Sequence, residues 1–108
     1  MNQFKLLFAK NLKRARNRAG LTQQELAERV SLSTNYLATL EIAGKFPSAD
    51  TLQKLVDELG LRPYELFVAD DDVESFDRLE LIARCTERAK KAMGDALEKV
   101  AKDMKPRK

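Results

Sequence analysis

Thr34 and Ala38 stand four residues apart, as do Asn35 and Thr39 one step along the chain. On an α-helix residues four apart share a face, so these four would present a carboxamide, two hydroxyls and a methyl side by side. Such a set makes directional hydrogen bonds and small apolar contacts. It holds no general base to activate a hydroxyl and no metal-ligand set. The rest of the chain adds little for covalent chemistry. There is no histidine and a single cysteine, Cys85, which excludes an internal disulfide and leaves neither a zinc site nor a Cys–His nucleophile enough ligands. Cys85 reads as a packed thiol rather than a redox sensor. No catalytic pair or triad stands at a usable spacing, so no enzyme activity, metal or cofactor is expected.

A helix must carry those four residues, and the stretch from Thr22 to Glu41, TQQELAERVSLSTNYLATLE, describes one with its support. Thr22 and Glu25 form a Thr-x-x-Glu capping box, with Leu21 and Leu26 as the apolar staple across it. Leu26, Ala27 and Val30 make an inward stripe at helical spacing. Ser33 is placed to cap a following helix whose buried face is Leu37 and Leu40. Ala27 is small where two steeply crossing helices leave no room for a longer side chain. The layout is helix, tight turn, helix.

The flanks read as further helices. One is predicted over 3–19, with Phe8, Leu12, Ala15 and Ala19 on one face and Gly20 as its stop. Gly44 is expected to close the helix that ends near Glu41, leaving Lys45 and Phe46 in a loop. Ser48 caps a fourth helix whose Leu52, Leu55, Val56 and Leu59 follow the i, i+3, i+4, i+7 pattern, and Gly60 stops it. Pro63 opens a short fifth helix, with Tyr64, Leu66 and Phe67 plugging the open end of the bundle. No strand signal or internal repeat is present. The formal charge is +3 over 108 residues, but Met1 to Gly20 carries Lys5, Lys10, Lys13, Arg14, Arg16 and Arg18 with no acid. From Asp70 onward ten acids and ten bases cancel, so the basic excess lies on the first part of the chain. No apolar run is long enough to cross a membrane and no secretory signal is read at the start; a cytoplasmic protein is the default.

In order and spacing, Arg16, Gly20-Leu21-Thr22-Gln23, Leu26-Ala27, Ser33, Leu37, Leu40-Glu41, Pro47-Ser48 and Leu52 resemble the phage-repressor and Cro-type DNA-binding domains, the XRE-like family. The resemblance covers about residues 6–67. It implies an all-α, five-helix repressor-like helix-turn-helix bundle over 1–69, to which residues 70–108 add a C-terminal helical extension. Ser31 stands at a turn position usually held by glycine in the family, where the backbone takes positive φ at a cost of about 1–2 kcal/mol for other residues.

The resemblance also implies roles. Thr34, Asn35, Ala38 and Thr39 match the family's base-reading positions. The chemistry agrees, since Asn pairs bidentately with adenine, Thr bonds either kind of edge, and methyls suit thymine. Gln23 is implied to bond phosphate at the start of its helix and to brace the reading helix. Gln24, Ser33, Lys45 and Asn11 are further phosphate candidates. Tyr36 would touch the DNA backbone or a base, or else pack as half-buried surface. Arg16 and Glu41 are implied to be a structural ion pair fastening the first helix to the end of the third.

Residues 73–104 read as one long helix after the acidic boundary Ala69-Asp70-Asp71-Asp72, with Asp71 and Glu74 as a possible cap pair and Pro106 beyond the end. Leu79, Ile82, Thr86, Ala89, Met93, Ala96 and Val100 alternate steps of three and four, close to a heptad seam. That stripe fits a dimerisation helix, a helix folded back on its own domain, or a partner-protein surface. The functional expectation is a sequence-specific regulator binding a double-stranded DNA operator as a homodimer. The alternative is a protein-interaction module, antitoxin-like or adaptor, using the C-terminal helix with an unknown protein partner.

Overall fold

The computed structural model describes residues 2–69 and 77–93. Within them the chain forms α1 (Gln3–Arg18), α2 (Gln23–Arg29), α3 (Thr34–Glu41), α4 (Ala49–Leu59), a 3-10 helix (Pro63–Phe67) and α5 (Arg78–Met93). No strand occurs among the described residues. The expected all-α architecture is therefore present, with the short fifth helix realised as the 3-10 turn. No helix among the described residues is long and apolar enough to cross a membrane.

Each helix start has a local cause. Asn2 Oδ1 accepts from the N–H groups of Phe4 and Lys5, at 2.8 and 3.3 Å, and opens α1. The Thr22–Glu25 box is closed both ways at 3.0 Å, and these bonds hold the Glu25 carboxyl below the usual carboxylate range. Ser33 accepts from the Tyr36 N–H at 3.0 Å, and Ser48 from that of Thr51 at 3.2 Å. Each cap satisfies a donor that the first helical turn leaves without a partner.

The four ends of α1 to α4 share one geometry. A residue turns left-handed, and the following N–H bonds back to the last turn: Leu21 to Arg16, Leu32 to Ala27, Gly44 to Thr39 and Leu61 to Val56, at 2.8–3.2 Å. The left-handed residues are Gly20, Ser31, Ala43 and Gly60. Ser31 adopts the expected positive φ, 58°. The sequence reading closes α3 at Gly44; the structure closes it one residue earlier, at Ala43 with φ 62°.

The core gathers Phe8, Leu12, Leu26, Leu37, Leu40, Leu55, Leu66 and Phe67. Phe46, in the loop after α3, packs on Phe8 and Phe67 with ring centroids 5.1 and 6.2 Å away. Such aromatic pairs contribute beyond their buried area. Ala19 is exposed just beyond the end of α1.

Two expectations need correction. Asn11 is buried, and its amide donates to the carbonyls of Leu66 at 3.0 Å and Val68 at 2.9 Å. Its donors are spent closing the 3-10 helix, so it leaves the phosphate set. The second concerns the seam on the C-terminal helix. Within the described residues this helix begins at Arg78, where Asp77 Oδ1 accepts from Leu79 and Glu80 N–H groups at 2.9 and 3.3 Å. It folds back on α1 and the 3-10 helix. Cys85 and Ala89 join the core, Met93 packs against it, and Ile82 is buried beside Tyr64. Ile82 and Ala89 therefore cannot form a dimer seam while the domain is intact; Leu79 is exposed. Over its described part the 70–108 extension contributes to the core of the preceding bundle. Ala96, Val100 and the proposed Asp71–Glu74 cap lie outside the described residues.

Polar closure accompanies the apolar contact. Arg88 Nη1 donates to the Phe67 carbonyl at 2.8 Å and the Cys85 thiol lies 3.3 Å from the same oxygen. Successive carbonyls of Leu66, Phe67 and Val68 are thus taken by side chains from two helices. Among the described residues no buried side-chain nitrogen or oxygen lacks a partner.

Candidate nucleic-acid interface

α3 divides cleanly between held and presented side chains. Leu37, Leu40 and Glu41 face inward and are buried. Ser33, Thr34 and Asn35, at its N-terminal end, are exposed, and Tyr36, Ala38 and Thr39 are half-buried. The four base-reading candidates therefore lie on one helix with solvent access, while α5 packs on the α1 and 3-10 side. Tyr36 packs against the edge of the core.

The footing of α3 is a buried ionic network. Arg16 Nε donates to Glu41 Oε2 at 2.7 Å and Arg16 Nη2 to Glu41 Oε1 at 3.0 Å, a bidentate pair with both side chains largely out of water. The remaining arm, Nη1, donates to the Leu21 carbonyl at 2.8 Å. The Glu41 hydrogen bonds, and then its charge, hold the Arg16 guanidinium above its ordinary value. Gln23 completes the network by donating from Nε2 to Glu41 Oε1 at 3.1 Å. One carboxylate thus ties the ends of α1 and α3 to the start of α2. Glu41 is also the only acid in α3. With it buried and paired, the exposed part of the helix brings no carboxylate against a polyanion.

The other phosphate candidates are distributed around that footing. Gln24 is exposed and donates to Glu28 at a long 3.4 Å. Ser33 accepts the α3 cap bond, which leaves its hydroxyl proton available. Lys45 is exposed in the loop after α3. Thr39 is less open than its position on the helix suggests, because its hydroxyl donates to the Asn35 carbonyl at 2.8 Å. That bond is a local option for any threonine within a helix, whose hydroxyl can reach the carbonyl four residues back. The bond from Asn11 had a weaker signal: a lone amide among Phe8, Leu12 and Ala15 on the apolar face of α1.

Two short helices, α2 and α3, joined by a tight turn within an all-helical bundle form the helix-turn-helix arrangement. A family model described as helix-turn-helix matches residues 12–66. The chain is 36% identical over 66 residues to the uncharacterized HTH-type transcriptional regulator y4dJ of Sinorhizobium fredii, covering 61% of this chain and 86% of that protein. It is 30% identical over 86 residues to the HTH-type transcriptional regulator ImmR of Bacillus subtilis, covering 80% of this chain and 67% of ImmR. No solved structure matches significantly. The chain belongs to the XRE-type helix-turn-helix family.

Proposed function

We propose that the protein is a transcriptional regulator that binds double-stranded DNA sequence-specifically, with α3 entering the major groove. The observation that carries this reading is the exposure of Ser33, Thr34 and Asn35 on a helix whose opposite face is locked by Arg16, Glu41 and Gln23. A major groove admits one α-helix, and the groove edges of the bases there differ in their pattern of donors and acceptors. Asn35 pairs with adenine, and Thr34, Ala38 and Thr39 supply the neighbouring contacts. Gln23, Gln24, Ser33 and Lys45 bond the phosphates, which set register and orientation without reading sequence. The names of both relatives, transcriptional regulators, support the same assignment.

The regulator acts as a homodimer on a two-fold operator, its half-sites about one helical turn apart. With Ile82 and Ala89 committed to the core, the dimer contact uses other surfaces. A protein-interaction module built on α5 has less support, because the inward face of that helix is already spent on its own domain.

Titration with duplex DNA at about 50 and 200 mM salt tests the proposal, since affinity carried by phosphate contacts should fall by at least about tenfold. The complex should contain two chains per operator. Affinity that ignores salt would contradict DNA binding, and one chain per duplex would contradict the dimer.

A further inference from the structure

Thr39 touches Gly44 through both its main chain and its side chain. The Thr39 hydroxyl lies 2.8 Å from the Asn35 carbonyl oxygen. A carbonyl carries no proton, so the hydroxyl proton must be the one shared, and Oγ1 is left with lone pairs only. The other branch of Thr39, its methyl, lies toward Gly44. A Cβ built on Gly44 would come within 2.9 Å of Thr39 Cγ2, closer than carbon atoms tolerate. Gly44 is not among the residues with positive φ; the contact with Thr39, rather than a left-handed backbone, is what crowds a side chain there. The Gly44 N–H also donates to the Thr39 carbonyl at 2.9 Å.

We propose that Gly44, by lacking a side chain, is a positioning residue that leaves Thr39 in the rotamer of an acceptor-only reader, so that the operator base facing Thr39 on the contacted strand is adenine or cytosine. In the major groove those two bases offer an amino donor, from N6 or N4, whereas thymine O4 and guanine O6 offer acceptors. A threonine turned freely would donate to the second pair as readily as it accepts from the first. β-Branching leaves Thr few side-chain rotamers, selected in a helix by the bond to the carbonyl four residues back. The space beside Gly44 admits the methyl in the rotamer that makes this bond.

The inference rests on the major-groove reading, and selection of bound duplexes from a random pool separates the two. Wild type, Thr39→Val and Gly44→Ala are compared, with thermal melting of each. Thr39→Val removes the acceptor at nearly constant shape and should erase a preference at one position, leaving the other positions unchanged. In the wild type that position should favour A or C by about fivefold, the scale of one net hydrogen bond. Gly44→Ala should push the methyl aside, re-aim the hydroxyl and admit T or G at the same position. If Gly44→Ala instead lowers the melting temperature, adding Thr39→Ser, which removes the crowded methyl, should restore it. The proposal is overturned if the Val-sensitive position is T or G in the wild type, if no position responds to Thr39→Val, if Gly44→Ala keeps the A or C preference, or if the Ser change fails to restore a destabilised Gly44→Ala chain. A wild-type pool without any consensus sinks the regulator reading itself.

Discussion

Two of the polar fastenings that hold α1 to the rest of the molecule differ in kind. Near its end, Arg16 and Glu41 form a charged, bidentate, largely buried pair that holds the foot of α3. In its middle, Asn11 gives a neutral amide to two main-chain carbonyls and holds the 3-10 helix on the far side. A charged pair out of water offers little net stability when intact, since desolvation offsets the attraction, but it punishes the loss of one partner heavily. A neutral amide carries a smaller stake both ways. α3 therefore sits on the anchor that is harder to alter singly, and the α5 side on the more forgiving one.

Breaking the charged anchor should have the largest effect. Glu41→Ala leaves a buried guanidinium facing no carboxylate and is expected to destabilise the domain by about 3–5 kcal/mol, measured by denaturant unfolding. A stable Glu41→Ala protein with altered base preference would show that Glu41 serves recognition rather than the fold. Breaking the neutral anchor comes next. Asn11→Ala leaves the Leu66 and Val68 carbonyls without this donor, and a loss of about 1–3 kcal/mol is expected. Because the Asn11 amide is buried and bonded to main-chain carbonyls, the folded Asn11→Ala protein should keep its affinity for DNA and its salt dependence; a reduced salt slope would return Asn11 to the phosphate set.

The smallest effect sharpens the contrast between the two sides at the helix ends. α1 and α4 end on glycines in left-handed conformation, whereas α2 and α3 end on Ser31 and Ala43. A side chain in that region is strained, so Ser31→Gly should stabilise the protein by about 0.5–1 kcal/mol, the relief being partly offset by the greater freedom of glycine in the unfolded chain. Unchanged or lower stability would mean that the turn after α2 carries no strain.

What the sequence discloses follows from the range of the interaction. The capping box at Thr22, the caps at Ser33 and Ser48 and the stops at Gly20 and Gly60 are settled within a few residues, and all are legible. The Arg16–Glu41 pair is legible through complementary charges at family spacing. The bonds of Asn11 are not, because the partners are main-chain carbonyls 55 and 57 residues away, and carbonyls have no residue type to search for. The placement of α5 is ambiguous for a different reason. A stripe at steps of three and four says that a face is buried but not against what, and the same Ile82 and Ala89 suit a second copy or the chain's own core. At the end of α3 the glycine at position 44 draws the eye, yet Ala43 turns left-handed and Gly44 makes room for Thr39. Composition marks the right stretch and misassigns the reason.

If the exposed turn of α3 reads bases, Asn35→Ala should cost operator affinity selectively. Binding of wild type and variant to a selected operator duplex and to random duplex should be compared at one salt concentration. A loss of about 1–3 kcal/mol on the operator and little change on random DNA are expected. Equal losses on both duplexes, or none on either, would contradict base reading by α3.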